Sequence, residues 1–544
     1  MLFCNIIGYI SLLRSYFVFP TSYLSLPLTL LHLEHNCCYN NMKLNTESRL
    51  MTLWVVVSVA LCFNIRNSVS ASKQCHFPVI FNFGDSNSDT GGLSAAFGQP
   101  GPPQGESYFH HPAGRYCDGR LIVDFIGPTL CSLLHTLFLP LTLLNLEPSC
   151  CYNNMKLNTE GSLMTLCVVV SVALCFNIRN SVSASKQCHF PVIFNFGDSN
   201  SDTGGLSAAF GQAGPPHGES YFHHPAGRYC DGRLVVDFIA KKLGLPYLNA
   251  FLDSVGSNYS HGANFATAGS TIRPQNTTLH QTGGFSPFSL DVQFNQFSDF
   301  QRRTQFFRNK GGVYKTLLPK AEDFSQALYT FDIGQNDLTS GYFHNMSTDQ
   351  VKAYVPDVLA QFKNVIKYVY NHGGRSFWVH NTGPVGCLPY IMDLHPVKPS
   401  LVDKAGCATP YNEVAKSFNR ELKEVVVKLR KELPMAAITY VDVYAVKYSL
   451  ISHPKKHGFE EPLRACCGHG GKYNYNLHTG CGAKIKIRGK EILVGKPCKD
   501  PSVWVNWDGV HYTEAANKWV LEQIVDGAFS DPPIPLNMAC HKHL

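Results

Sequence analysis

Short apolar runs recur along the second part of this chain, separated by longer stretches with helical spacing. The first reads Pro191-Val192-Ile193-Phe194-Asn195-Phe196 and stops at Gly197; others cover 327–333, Ser376–His380 and 437–443. Runs of this length bounded by glycine predict strands buried on both faces. Their alternation with helices predicts a parallel sheet in an α/β fold. The clearest helix opens at Ser347 with Gln350 three residues on, a reciprocal capping pattern. It turns Val351, Tyr354, Val358, Phe362, Ile366 and Val369 inward and ends at Gly373-Gly374, with a kink expected at Pro356. A second helix starts near Thr513 and carries Ala516, Val520 and Ile524 at every fourth position.

Part of this pattern occurs twice. Gly84-Asp85-Ser86 and Gly197-Asp198-Ser199 lie in nearly identical stretches that start near Leu26 and Leu139 and end at Ile126 and Ile239. Two copies are too few for a stacked solenoid. Each copy holds an apolar run, 53–63 or 166–176, followed by a small-residue triplet, Val69-Ser70-Ala71 or Val182-Ser183-Ala184. These are the proportions of secretory signal peptides, which belong at the start of a chain. The expected organisation is therefore two reading frames joined end to end. Residues 1–154 are a truncated duplicate of a signal peptide and first block, 155–184 the signal peptide of the second copy, and 185–544 one large catalytic domain on which 1–154 packs poorly. The rival readings of 1–154 are a membrane segment and a regulatory arm. Stable membrane insertion is not expected, since both apolar runs fall short of the ~20 residues that span a bilayer.

Hydrophobic residues make up 44% of the 544-residue chain, enough for a large core, and the net charge of +7 is too mild and dispersed to argue for nucleic acid. Nine of the twenty cysteines follow Ala184: Cys188, Cys230, Cys387, Cys407, Cys466, Cys467, Cys481, Cys498 and Cys540. Behind a signal peptide these read as disulfide partners with at least one left over, the connectivity open. A zinc site would want short Cys-x-x-Cys pairs, and Cys466 and Cys467 are adjacent instead, so no metal is expected. Asn258, Asn276 and Asn345 head Asn-x-Ser/Thr triplets that fit a secreted glycoprotein.

The chemistry-bearing residues cluster where apolar runs end. Ser199 follows the first run within a polar, glycine-rich stretch, the carboxyl end where open α/β sheets place their sites. Asn336, in Gly334-Gln335-Asn336-Asp337, follows a later run in the same way. Near the C-terminus, Trp507-Asp508-Gly509-Val510-His511 sets a carboxylate and an imidazole in one tight loop. A serine hydroxyl is a poor nucleophile until an imidazole accepts its proton, and the imidazole needs a carboxylate to fix its tautomer. Gly-x-Ser-x-Gly, the nucleophile elbow of the α/β-hydrolases, is absent. Taken singly, Ser199 reads as a helix cap, Gly269 as a turn glycine and Asn336 as a loop residue; they gain meaning by occurring together. His223, His224, His380, His395 and His469 default to surface or packing roles, Trp504 and Trp507 to core rather than an acyl pocket, and Asp202 to a helix cap. Cys467-Gly468-His469-Gly470-Gly471 lacks the ending of a phosphate loop and reads as a disulfide-tied loop.

Gly197-Asp198-Ser199, Gly269 within Asn264-Phe265-Ala266-Thr267-Ala268-Gly269-Ser270, Gly334-Gln335-Asn336-Asp337 and Asp508-Gly509-Val510-His511 together resemble the four blocks of the GDSL, or SGNH, esterase/lipase family. Phrases such as Thr382-Gly383-Pro384-Val385-Gly386-Cys387 are similar to its secreted plant branch, the early-nodulin-like members in particular. The resemblance implies a flavodoxin-like three-layer α/β/α sandwich with a central parallel sheet. It also implies hydrolysis of carboxylic acyl esters, of small molecules or glycans, through an acyl-enzyme, without a cofactor, outside the cell or in its wall. Ser199 would be the nucleophile, His511 the general base and Asp508 its orienting carboxylate. The Ser199 and Gly269 N–H groups and the Asn336 side chain would form the oxyanion hole. An acyltransferase on the same fold and a binding or structural glycoprotein with little turnover are the alternatives. Ser86 repeats the first block with none of the others behind it and is expected to be catalytically orphaned.

Overall fold

The computed structural model describes residues 79–98, 101–126, 187–211, 213–274 and 286–540. The fold is that of the compact unit Phe81–Leu544. Its centre is a sheet of five parallel strands: β1 (Ile193–Gly197), β2 (Gly262–Asn264), β3 (Leu328–Asp332), β4 (Ser376–His380) and β5 (Ala437–Val441). They lie in the order β2-β1-β3-β4-β5, the flavodoxin-like order, whose switch point falls between β1 and β3. Outside this core, β6 (Glu460–Ala465) pairs in parallel with β9 (Trp504–Asn506). A hairpin of β7 (Lys484–Ile487) and β8 (Lys490–Leu493) stands exposed, and β10 (Ser530–Asp531) pairs antiparallel with β5.

The helices that matter for the site are α1 (Gly205–Phe210), α2 (Val235–Lys242), α3 (Leu290–Lys310), α4 (Gln335–Phe343), α5 (Thr348–Asn371), α6 (Thr409–Glu432), α7 (Val443–Ser452) and α8 (Glu514–Ile524). Side chains alternate across a strand, and here both faces are apolar. Phe194, Phe196, Tyr329, Phe331, Phe377 and Val379 face α3, α5 and α6. Ile193, Leu328, Trp378 and Val441 face α2, α7 and α8. The result is an α/β/α sandwich.

The capping pattern at Ser347 forms in both directions: Gln350 N donates to Ser347 Oγ at 3.2 Å and Ser347 N to Gln350 Oε1 at 2.8 Å. The helix runs on through Pro356 rather than stopping there, with its apolar stripe buried and Tyr354 at the margin. Four disulfides form, Cys188–Cys540, Cys387–Cys407, Cys466–Cys498 and Cys467–Cys481, leaving buried Cys230 as the odd thiol of the later copy. No described helix is long and apolar enough to cross a membrane.

The front copy repeats local structure without the sheet. Asp89 accepts from the N–H groups of Gly91 and Gly92 as Asp202 does from Gly204 and Gly205, and Arg115 pairs with Asp124 as Arg228 does with Asp237. Its counterpart of β1 forms no strand: Phe81 and Phe83 are 81% and 90% exposed, whereas Phe194 and Phe196 are fully buried. The expectation of poor packing does not hold for the front helix Gly92–Phe97. Phe97 stacks on Phe288 at 5.1 Å between ring centroids, and Gln296 Nε2 donates to the Ala96 carbonyl at 2.7 Å.

Gly197 marks the tightest approach at the end of β1. A Cβ there would lie 2.6 Å from the Asp332 carbonyl oxygen of β3, which already accepts from Asp198 N at 3.1 Å. Gly197→Ala should therefore destabilise the protein by about 1–3 kcal/mol, as overpacking against backbone does. A lowered urea midpoint without a changed slope would register it.

Candidate active site

Three loops meet at the carboxyl ends of β1, β2 and β3, and buried polar side chains join them. Asn195, in the middle of β1, donates to Asn264 Oδ1 at 2.7 Å and accepts from Thr330 Oγ1 of β3 at 2.7 Å. Asn264 in turn donates to the Ser201 carbonyl at 2.7 Å and to Thr203 Oγ1 at 2.9 Å. Asp202 caps α1 as expected and also reaches the neighbouring loop, accepting from Ala268 N at 2.7 Å. The loop that carries Ser199 is thereby fixed to the one that carries Gly269, whose φ of 77° suits glycine. From the first turn of α4, just after the third loop, Asn336 donates to the Ser270 carbonyl at 2.9 Å and Asp337 accepts from Ile272 N at 2.8 Å. Among the described residues, the backbone N–H groups of Ser199 and Gly269 donate to no protein acceptor.

The fourth loop comes from the far end of the chain. It follows β9, where Cys466 N and Cys467 N donate to the carbonyls of Asn506 and Trp507 at 3.0 and 2.6 Å. Trp507 is buried against the two disulfides of that region, and Trp504 packs on the same cluster, so both are packing residues. Asp508 Oδ1 accepts from the N–H groups of Val510 and His511 at 3.0 and 2.9 Å. Its Oδ2 lies 2.7 Å from His511 Nδ1, and His511 Nε2 lies 2.7 Å from Ser199 Oγ. With the acceptor-only carboxylate at Nδ1, that nitrogen carries the proton and Nε2 is free to accept one from the serine. Burial works against the charge on Asp508, but the two imidazoles of His511 and His217 overcome it and hold its carboxyl well below the usual range. Ser199, Gly269, Asp508 and His511, on loops, and Asn336, in the first turn of α4, are thus brought to one place. Ser86 is exposed and has no imidazole partner among the described residues.

Several residues of this neighbourhood escape sequence reasoning. His217 Nε2 stands 3.9 Å from Asp508 Oδ2, with no motif to mark it. Beneath the Ser199 loop, His380 Nδ1 lies 3.2 Å from Asp332 Oδ2, and Trp378 Nε1 donates to His380 Nε2 at 3.1 Å. His380 is therefore held by hydrogen bonds at both ring nitrogens, Nε2 accepting from Trp378 and Nδ1 donating to Asp332, rather than by packing alone. Lys447 is buried close by, and burial lowers its pKa against the pull of Asp332 and Asp198. Burial, reinforced by Asp332, pushes the Asp198 carboxyl up to about 7. The signal in sequence is faint: Trp378 and His380 share one face of β4, but nothing local announces Asp332 or Lys447. Among the described residues, no group of three or more His, Cys, Asp or Glu side chains is arranged to hold a metal ion.

Comparison with known proteins gives this geometry a family. The model of the GDSL-like lipase/acylhydrolase family matches residues 193–524, more than half of the chain, and the chain belongs to that family. A GDSL esterase/lipase of Arabidopsis thaliana is 62% identical over 69% of this chain and 98% of its own length. Alpha-L-fucosidase 3 of the same plant is 61% identical over 66% of this chain and 97% of its own length. The GDSL esterase/lipase ENOD8 of Medicago truncatula is 52% identical over 71% and 98%. The protein is accordingly a hydrolase acting on esters.

Asp337 links this site to pH. Burial pushes its carboxyl up to about 7. The folded state keeps this proton where the unfolded chain, near 3.8, has lost it, so the group's stabilisation is complete at acid pH and disappears as pH rises through about 7. The stability difference between wild type and Asp337→Asn should fall by about 2–4 kcal/mol from pH ~4 to pH ~7.5 in urea unfolding. A difference independent of pH would contradict it.

Proposed function

We propose that the protein is a secreted serine esterase that cleaves carboxylic acyl esters of small molecules or glycans through an acyl-enzyme. The observation that carries this reading is the unbroken chain from Ser199 Oγ through His511 to Asp508, with both contacts at 2.7 Å. In this reading Ser199 Oγ attacks the ester carbonyl carbon while His511 Nε2 takes its proton, and Asp508 holds the imidazole in the required tautomer. The oxyanion accepts from the Ser199 and Gly269 N–H groups and from the Asn336 amide, which has one N–H left after bonding Ser270. Collapse expels the alcohol with the proton from His511, and water then releases the acid by the same steps in reverse. An alcohol in place of that water would make the reaction acyl transfer.

Secretion is supported by the apolar run at 166–176 and by four disulfides, which persist in oxidising compartments. The proposed glycosylation sites Asn258 and Asn345 are exposed, and Asn276 lies outside the described residues. A glycosidase of the usual kind needs two carboxylates flanking the scissile bond. Asp508 is committed to His511, which favours ester cleavage even beside a relative named for fucosidase activity.

The test is hydrolysis of short p-nitrophenyl esters, with p-nitrophenyl α-L-fucoside as the competing substrate. Ser199→Ala should abolish ester turnover, Ser86→Ala should leave it intact, and Asp508→Asn should cut kcat by about 10⁴ because the amide selects the wrong tautomer. Full activity of Ser199→Ala, or turnover of the fucoside alone, would sink the proposal.

We assign the catalytic unit to 185–544. A chain beginning at Ser185 should fold and keep full esterase activity, although it uncovers Phe288 where Phe97 now stacks. Insolubility or inactivity of that shorter chain, beside an active 544-residue protein, would show that the front copy belongs to the enzyme.

A further inference from the structure

We infer that His217 is a positioning residue of the esterase site, a second imidazole turned to the Asp508 carboxylate oxygen that holds His511. The inference rests on the roles proposed above for Ser199, His511 and Asp508.

The geometry around His217 leaves one nitrogen to act. His217 is 8% exposed, and its Nδ1 lies 2.9 Å from the Gly214 carbonyl oxygen. A carbonyl only accepts, so Nδ1 carries a proton and Nε2 is the atom turned toward Asp508 Oδ2 at 3.9 Å. Neutral, the ring would set a bare lone pair against a carboxylate; protonated, it presents a positive N–H there. Burial disfavours the cation, but Asp508 outweighs it and the His217 pKa is raised. The ring is held edge-on against Trp507 and Tyr229, each at 6.1 Å between centroids, and Tyr229 lies 5.6 Å from the His511 ring.

Charged and titratable groups bear on His217 from separate segments of the described residues. Asp508 faces it from the loop after β9. Asp231, bonded to Ser220 Oγ and Glu514 N, adds negative potential from its own segment. Burial pushes the Tyr229 phenol up to about 12, so it stays neutral over the working range. Oδ2 of Asp508 is the oxygen that both imidazoles address. A proton added to His511 while His217 is charged places two cations on one carboxylate, and each weakens the other's hold. The front copy, which lacks the Asp508 and His511 block, carries Gln104 at the matching position; elsewhere between 79–126 and 192–239 it differs only in having Pro100 and Ile122 for Ala213 and Val235.

The experiment compares kcat/KM against pH for a p-nitrophenyl ester in the full-length wild type, His217→Gln and His217→Phe. Both variants remove the charge, and Phe retains an aromatic ring against Trp507 and Tyr229. The acid limb should move upward by about 0.5–1 pH unit in both. A limb that stays in place while the rate drops by the same factor at every pH, or one that moves downward, overturns the inference and leaves His217 a packing residue. Ser199→Ala, measured alongside, separates the two levels. If it abolishes activity and the limb is unmoved, only the role of His217 falls; if it remains active, the reading of the site falls as well.

Discussion

The site depends on one constraint: buried polar side chains at the carboxyl ends of an open sheet must find hydrogen-bond partners across neighbouring segments. Asn195, Asn264 and Asp202 meet it by bonding across loops as well as within them. Asn195 places an amide inside a strand whose other residues are almost all apolar, and that amide reaches both neighbouring strands. Asp202 divides its two oxygens between the first turn of α1 and the backbone just before Gly269. The segments that carry the Ser199 and Gly269 N–H groups are consequently fixed to one another through Asn264 and Asp202.

The other half of the site is held by different means. The Asp508–His511 loop is short and lies far along the chain from β1. It owes its place to β9, to the backbone bonds from Cys466 and Cys467, and to Trp507 packed on two disulfides. Arg233 and Asp231 then bond Glu514 at the start of α8, tying the segment that follows Ser199 to the segment that follows His511. The disulfide cluster thus lies directly behind the imidazole loop.

Much of this was legible before the structure. Short apolar runs located β1, β3, β4 and β5, and the reciprocal cap at Ser347 located α5, because both signals arise from groups close in sequence. Ser199 and Asn336 were marked by their places after apolar runs, and Asp508 and His511 by their spacing in one loop, whereas Gly269 stood out only beside the other family blocks. The disulfide connectivity was not, since it depends on which loops meet. Nor were His217, His380 or Lys447: each acquires its partner, Asp508 or Asp332, from a distant segment. β2, only three residues long, gave too little pattern to be recognised.

The two copies separate local from tertiary determinants within one chain. The helical caps at Asp89 and Asp202 and the pairs Arg115–Asp124 and Arg228–Asp237 form in both, because their partners lie a few residues apart and travel with the sequence. Phe-Asn-Phe-Gly-Asp-Ser is also the same in both, yet only the later one is a strand, with its phenylalanines buried between sheet and helices while Phe81 and Phe83 stand in solvent. A strand's hydrogen bonds and its apolar burial are supplied by neighbours, and β2 and β3 are available to one copy only. The sequence by itself determined the elements, the caps and the residues at the strand ends; the tertiary structure decided which serine has a sheet beneath it and an imidazole at its side.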